Sequence, residues 1–219
     1  MKRLLLVAAL AVLPTQTAQA LTRPQWVTGV VAHTTMTRPE ARWVYVHRPG
    51  LRDNYPTSHT WTSRATVVPS PAIAGCDQSD GPQFACWLAA QAGTHWCKIT
   101  TVEKYRAPLV PFGDQVLFSF ETERTFAWDG HQVMPGSLFF DSDTTFWGAR
   151  WHFDGVIGPA EGFTNFSEWE HRTDLWGNFS TDGLVKIAAV HSTLHNRIVF
   201  RGDGDWSTMN TEGEPGCQN

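Results

Sequence analysis

The stretch Asn196-Arg197-Ile198-Val199-Phe200-Arg201-Gly202-Asp203-Gly204 places an apolar, β-branched run shortly before an Asp-Gly pair. Runs of Ile, Val and Phe favour strands, and Asp-Gly tolerates the positive φ angles of tight hairpin turns. Asp-Gly occurs three more times, at residues 129–130, 154–155 and 182–183. Each interval between these pairs leaves room for about two strands of ordinary length. From residue 112 onward the sequence therefore predicts a meander of antiparallel strands.

Short apolar runs bounded by turn residues predict the remaining strands, at 42–47, 65–68, 115–120, 137–140 and 183–190. One short helix is predicted over 83–91, because Gly93 follows it as a stop signal. Many short strands with regular turns are typical of an all-β fold. We expect an antiparallel β-sandwich or jelly roll, with a closed barrel as the alternative.

Residues 1–20 have the features of a cleavable secretory signal peptide. A basic start at Lys2-Arg3 precedes the apolar run 4–13, and Ala18-Gln19-Ala20 has the small residues that signal peptidase requires. The apolar run is too short to cross a bilayer, which takes about 20 residues. We expect a secreted or periplasmic protein with one β-sandwich domain over residues 21–219 and no membrane span.

The charge balance bears on the class of partner. The chain has 17 Lys and Arg against 21 Asp and Glu, a net charge of −4 with neutral histidines. Residues 1–20 carry two positive charges and no acid, so the remaining chain has a net charge of −6. Nucleic-acid binding needs clustered cations that neutralise phosphates. We therefore expect no nucleic-acid partner.

All four cysteines, Cys76, Cys86, Cys97 and Cys217, lie after the predicted leader. An even number of cysteines in an oxidising compartment predicts two disulfides, and the spacing leaves all three pairings open. Three of the four lie in the predicted helix-and-loop region, which we expect to be stapled to the sheet. A bond to Cys217 would fix the C-terminal tail.

Glu121 and Glu123 directly follow the predicted strand 115–120. Residues i and i+2 of a strand point to one face, about 7 Å apart. Two such carboxylates can act as acid and base, or as acid and nucleophile, in glycoside cleavage. The alternative is a solvated strand end without a catalytic role.

The order Arg42, then Trp61-Thr62-Ser63, then Glu121 and Glu123 resembles the secreted ADP-ribosyltransferase toxins. Those enzymes combine a strand arginine, a Ser-Thr-Ser-like strand and a Glu-x-Glu pair, and the middle segment here has Trp in place of the first Ser. The resemblance implies that Arg42 would hold the phosphates of a nicotinamide dinucleotide. It implies that Glu123 would stabilise the ribose cation.

Asp141-Ser142-Asp143 follows the predicted strand 137–140 as an acidic turn, and Asp203-Gly204-Asp205 is a second one. Alternating aspartates in a loop present several oxygens, which suit Ca²⁺. The same residues also form turns without metal, by bonding to their own backbone. A Ca²⁺ site at Asp141 and Asp143 is one hypothesis.

Four of the eleven tryptophans lie within one segment that also contains polar and charged residues: Trp147, Trp151, Trp169 and Trp176, with Arg172. Sugar rings pack on indole faces while polar groups bind their hydroxyls, so this composition suits a glycan site. We expect a binding protein for a glycan or cell-envelope polysaccharide. The alternatives are the glycan-cleaving enzyme, the ADP-ribosyltransferase and a non-enzymatic module that binds a protein partner.

Overall fold

The computed structural model describes residues 20–68, 95–109, 113–163, 168–183 and 187–209, together with Cys217. Two α-helices precede eight strands in these ranges. The helices are α1 (Arg23–His33) and α2 (Arg38–His47). The strands are β1 (Ser58–Val67), β2 (His95–Leu109), β3 (Gly113–Trp128), β4 (Val133–Thr144), β5 (Trp151–Phe163), β6 (Glu170–Thr181), β7 (Val190–Arg201) and β8 (Trp206–Thr208).

The strands form two four-stranded antiparallel sheets, ordered β1-β2-β3-β4 and β5-β6-β7-β8. Each sheet is a meander, because every strand pairs with its neighbours in sequence. The two inner faces pack together, and the predicted all-β sandwich is therefore confirmed. Because the two sheets are separate and each is a simple meander, the fold is a sandwich and neither a jelly roll nor a closed barrel.

Both helices begin with the same local sequence, Thr-Arg-Pro followed by Gln or Glu. The threonines, Thr22 and Thr37, are the N-cap residues. In each capping box the threonine side chain accepts from the backbone N–H three residues later, and the Gln or Glu side chain there accepts from the threonine backbone N–H. The strand predicted over 42–47 is wrong, since these residues belong to α2. Their β-forming side chains are outweighed by the cap and by the burial of Ala41 and Val44 three residues apart. Within the described residues, no helix has the length and apolarity needed to cross a membrane.

Two of the four predicted Asp-Gly turns are confirmed. Asp129-Gly130 lies between β3 and β4, and Asp203-Gly204 lies between β7 and β8, with both glycines at positive φ. The turn at Asp154-Gly155 is wrong, because the pair lies inside β5, where Gly155 at φ +115° accompanies a shift of register. Asp182-Gly183 follows the end of β6. Of the strand predicted over 183–190, residues 184–186 lie outside the described residues, and the described remainder forms no strand before β7 begins at Val190.

Apolar side chains fill the space between the sheets in two clusters. The helix-side cluster joins helical residues to the strands: Trp26, Val30, Val44, Phe118, Phe120, Trp151 and Phe179. The sheets approach closely there, because a Cβ added at Gly177 would lie 2.6 Å from the Phe120 ring. The disulfide-side cluster contains Cys97, Phe126, Ile198, Phe200 and Cys217.

Polar side chains between the sheets bridge them. The Asn196 Nδ2 on β7 donates to Thr122 Oγ1 at 3.0 Å and to the Phe120 carbonyl at 3.2 Å on β3. The buried Arg124 on β3 forms two bonds of 3.1 Å with the Glu161 carboxylate on β5. Because these bonds are directional, they fix the alignment of the sheets in a way that apolar packing alone does not.

Cys97 on β2 is bonded to Cys217, across 120 residues of sequence. A disulfide between Cys97 and Cys217 is therefore confirmed. Cys76, Cys86 and the helix predicted over 83–91 lie outside the described residues, as does nearly all of the predicted leader.

Replacing both Cys97 and Cys217 by alanine should destabilise the protein. The bond closes a long loop in the unfolded chain, so its loss should cost about 4–5 kcal/mol of the free energy of unfolding. For a protein of this size that corresponds to a fall in Tm of roughly 10–15 °C. Thermal circular dichroism measures the change, and a fall of less than about 3 °C would contradict the expected role of the bond.

Candidate functional site

The outer face of the second sheet carries a group of side chains centred on Asp174. Residues 172, 174 and 176 share this face of β6, because alternate residues of a strand point to the same side. Asp174 lies opposite Arg197 on β7, and Trp176 lies opposite His195. Arg172, Asp174, Trp176, His195 and Arg197 are named the Asp174 cluster.

The Asp174 carboxylate holds three cationic or polar side chains. Arg197 Nε lies 2.9 Å from Oδ1, His195 Nε2 lies 2.6 Å from the same oxygen, and Arg172 Nε bonds to Oδ2. Burial alone would raise the pKa of Asp174, but the bonds from Arg172, Arg197 and His195 outweigh it and hold the pKa below its usual value. The carboxylate is therefore charged at neutral pH and orders its neighbours.

The two arginines of the cluster bond Asp174 through Nε. Their side chains remain 41% and 36% exposed, for Arg172 and Arg197 respectively, and within the described residues no other partner holds their terminal Nη groups. A guanidinium fixed through one edge presents its other donors in a defined direction. Such donors suit a carboxylate, sulfate or phosphate group, which they bind bidentately.

An aromatic stack borders these cations. The Trp176 and His195 rings lie 4.6 Å apart and 10° from parallel. Ile157 on β5 lies opposite Trp176 and is 63% exposed. The face thus combines an apolar ridge with two oriented cations, which is the combination that binds sugar rings carrying acidic groups.

The structure separates the four tryptophans of the predicted glycan site. Trp151 lies in the core at 2% exposure, and its indole donates to the Asn54 carbonyl at 2.8 Å. Trp147 lies near that end of the sandwich, where its carbonyl accepts from Asn54. Trp169 lies just before β6, at the opposite end of a strand about 35 Å long. Of the predicted residues, Trp176 and Arg172 are the two that come together.

The glutamates of the predicted hydrolase lie on the solvent face of the first sheet. Glu123 pairs with Lys98 at 2.9 Å. Glu121 lies beside a 250 Å³ depression that is also lined by Thr62 and Arg64. Cleavage requires two carboxylates on either side of a bound sugar. Here one carboxylate is ion-paired with a lysine, so a catalytic role for the pair stays a prediction without added support.

Asp141 and Asp143 lie within β4 and not in a loop, which corrects the expected turn. Asp141 accepts a bond from the neighbouring Ser142 N–H at 2.8 Å and lies opposite Glu121 in the ladder. Across the described parts of the chain, no three His, Cys, Asp or Glu side chains are placed to hold a metal ion. The Ca²⁺ site stays a prediction.

The residues that resemble the ADP-ribosyltransferases do not come together. Arg42 lies on α2, where it lines a groove with other arginines. Ser63 faces the interior, with its hydroxyl 3.0 Å from Thr208 Oγ1. Glu121 and Glu123 face the opposite side of the sheet, so the required arrangement of arginine, serine and glutamates is not formed.

Sequence reasoning missed a buried carboxylate, Glu103 on β2, which is 3% exposed. One of its oxygens accepts the His195 backbone N–H at 2.8 Å, and the other lies 3.7 Å from His59 Nδ1. Burial raises the pKa of Glu103 to about 7, against the opposing effect of the His195 N–H and the nearby Trp61 indole. The alternation Thr101-Val102-Glu103-Lys104-Tyr105 places Glu103 on the same face as Tyr105, which is the signal that could have revealed it.

No family model matches the sequence, and no curated protein or solved structure is significantly similar to it. The functional argument therefore rests on the chemistry of the chain's own residues.

Substituting Glu103→Gln should change how stability depends on pH. The folded pKa near 7 exceeds the ordinary value of 4.5, so the folded state binds more protons between these values. Wild-type stability should therefore lose about 1.4 kcal/mol per pH unit from this group as pH rises through that range. Glutamine keeps an acceptor for the His195 N–H and does not titrate. The free energy of unfolding of the variant should therefore rise relative to that of the wild type as the pH increases to about 7.

Urea unfolding of both proteins at pH 5, 6, 7 and 8 measures this difference. An exposed substitution without a titrating group, Thr62→Val, serves as the control. Parallel stability curves for wild type and Glu103→Gln would contradict the raised pKa.

Proposed function

We propose that this protein is an exported binding module for an acidic glycan, which docks on the outer face of the second sheet over the Asp174 cluster. The observation that carries the proposal is the pair Arg172 and Arg197, oriented by one buried carboxylate beside the Trp176–His195 stack. The acidic group of a sugar would bind the terminal guanidinium nitrogens. Its apolar ring face would lie against the edge of Trp176 and the side chain of Ile157.

The strand register extends this face beyond the cluster. Asn178 and Thr193 form the next cross-strand pair after Trp176 and His195, and their side chains are bonded at 2.9 Å. From residue 172 to residue 178 the face runs for about 20 Å. That length and its polar groups suit an extended oligosaccharide better than a single small anion.

The export signal and the disulfide support a role outside the cytoplasm. The predicted leader has the basic, apolar and small-residue segments of a signal peptide, and disulfides persist in oxidising compartments. A polysaccharide of the envelope or the surroundings is a ligand available there.

Affinity electrophoresis of the purified protein through polygalacturonate tests the proposal, with neutral dextran as the comparison. Retardation should occur with the acidic polymer alone. Arg172→Gln and Arg197→Gln should each weaken the affinity by about tenfold, because each loses a charge-assisted pair of bonds. Added salt should weaken the binding of the wild-type protein to the acidic polymer, because it screens the charges.

The matched control is Arg201→Gln, which removes the same charge from the same face. Arg201 pairs with Glu170 at 2.7 Å and lies outside the cluster, so its loss should change affinity less than threefold. Equal losses in all three variants would indicate non-specific charge attraction, and no retardation by either polymer would refute the glycan proposal. Soluble fragments in the incubated polymer would point to an enzyme instead.

Asp174→Asn tests the positioning role of the carboxylate. The amide offers a single acceptor oxygen to three donors, so Arg172, His195 and Arg197 lose their common anchor. We expect weaker binding together with a lower Tm, although both arginines remain. Unchanged affinity in a folded Asp174→Asn protein would show that the arginines do not need this carboxylate.

A further inference from the structure

Positive charge is concentrated in the helical segment. Residues 20–57 contain five arginines against two acids, a net charge of +3, while residues 58–219 contain ten Lys and Arg against nineteen acids, a net charge of −9. The five arginines are Arg23, Arg38, Arg42, Arg48 and Arg52. A basic helical layer thus lies on an acidic sandwich.

Three of these arginines line one groove between α1 and α2, with a volume of about 460 Å³. Its lining consists of Arg23, Pro24, Val27 and Thr28 from α1, with Arg38 and Arg42 from α2. Arg38 and Arg42 lie four residues apart and therefore on one side of their helix. Pro24 and the buried Val27 add apolar surface to the groove.

The groove arginines differ from the other two in their contacts. Arg52 donates to the Tyr45 carbonyl and stacks on the Tyr45 ring, and Arg48 lies over Trp43. Within the described residues, no acid, carbonyl or ring holds Arg23, Arg38 or Arg42.

The acid nearest in sequence to this group is already engaged. Glu40 lies between Arg38 and Arg42 in the sequence, but its carboxylate accepts from the Thr37 N–H at 2.8 Å and from the Thr37 hydroxyl. Those bonds lower the pKa of Glu40 and keep it at the helix cap. Among the described residues that line the groove there is no acid, so the three guanidinium groups repel one another.

We propose that this groove binds a multiply charged phosphoryl group, either free as a diphosphate or carried by a lipid headgroup. Guanidinium groups bind phosphate oxygens through paired N–H donors, and three of them match the charge of a diphosphate. The site lies on the helical layer and is separate from the Asp174 cluster on the second sheet. Its occupancy does not depend on the proposed glycan binding.

Isothermal titration of the full protein with inorganic pyrophosphate tests the free form. Flotation with vesicles of equal parts phosphatidic acid and phosphatidylcholine, against phosphatidylcholine alone, tests the lipid form, because the phosphomonoester of phosphatidic acid carries more than one negative charge at neutral pH. We expect the protein to bind either pyrophosphate or the anionic vesicles. The double variant Arg23→Gln/Arg42→Gln should bind the same ligand about tenfold more weakly. Circular dichroism confirms that each variant is folded.

Arg64→Gln removes an exposed arginine of β1 that lines the separate depression beside Glu121 and not the groove, and it should leave this affinity within about twofold. Arg172→Gln is the second comparison, because the Asp174 cluster also presents guanidinium donors. Affinity that is lost in Arg172→Gln and kept in the groove variant would place the anion on the second sheet and overturn the proposal. Binding lost equally in Arg64→Gln would overturn the proposal. So would the absence of binding to both pyrophosphate and the anionic vesicles.

Discussion

The free edge of β7 is the constraint on which the rest of the structure depends. β8 pairs with residues 198–200 alone, so the backbone of the segment 191–197 needs other partners. Thr35 from the helix linker, the Tyr105 hydroxyl and the Glu103 carboxylate supply them, at 2.8–3.2 Å. One strand edge therefore joins the helical layer to both sheets, and it explains why a carboxylate is retained in the interior.

His195 connects this internal edge to the candidate binding face. Its backbone N–H bonds Glu103 between the sheets, while its ring bonds Asp174 and stacks on Trp176 outside. The binding groups thus lie on strands whose backbone is fixed from the opposite side. A site on such strands holds its geometry before the ligand arrives, which reduces the entropy lost on binding.

Local signals account for what the sequence could predict. Short apolar runs and turn residues identified parts of β1, β3, β4 and β7. The same Asp-Gly dipeptide forms a turn at 129–130 and a bulge at 154–155, and the choice depends on the strand that lies opposite. Trp151 and Trp176 both lie in strands, and their burial differs because Trp151 faces the other sheet. The spacing of residues in the sequence reveals neither which strand lies opposite nor which face of a strand is buried.

The net charge of this chain says little about where its cations are clustered. At physiological ionic strength a charge is screened over about 8 Å, so the arrangement of nearby groups outweighs the total. The acidic sandwich holds Arg172 and Arg197 in place through a buried carboxylate. The helices gather three arginines around one groove, and the neighbouring Glu40 bonds to Thr37 instead. Sites of two or three cations suit single acidic groups. The total charge does not reveal such local groups, and the expected absence of a nucleic-acid partner stays a prediction from composition.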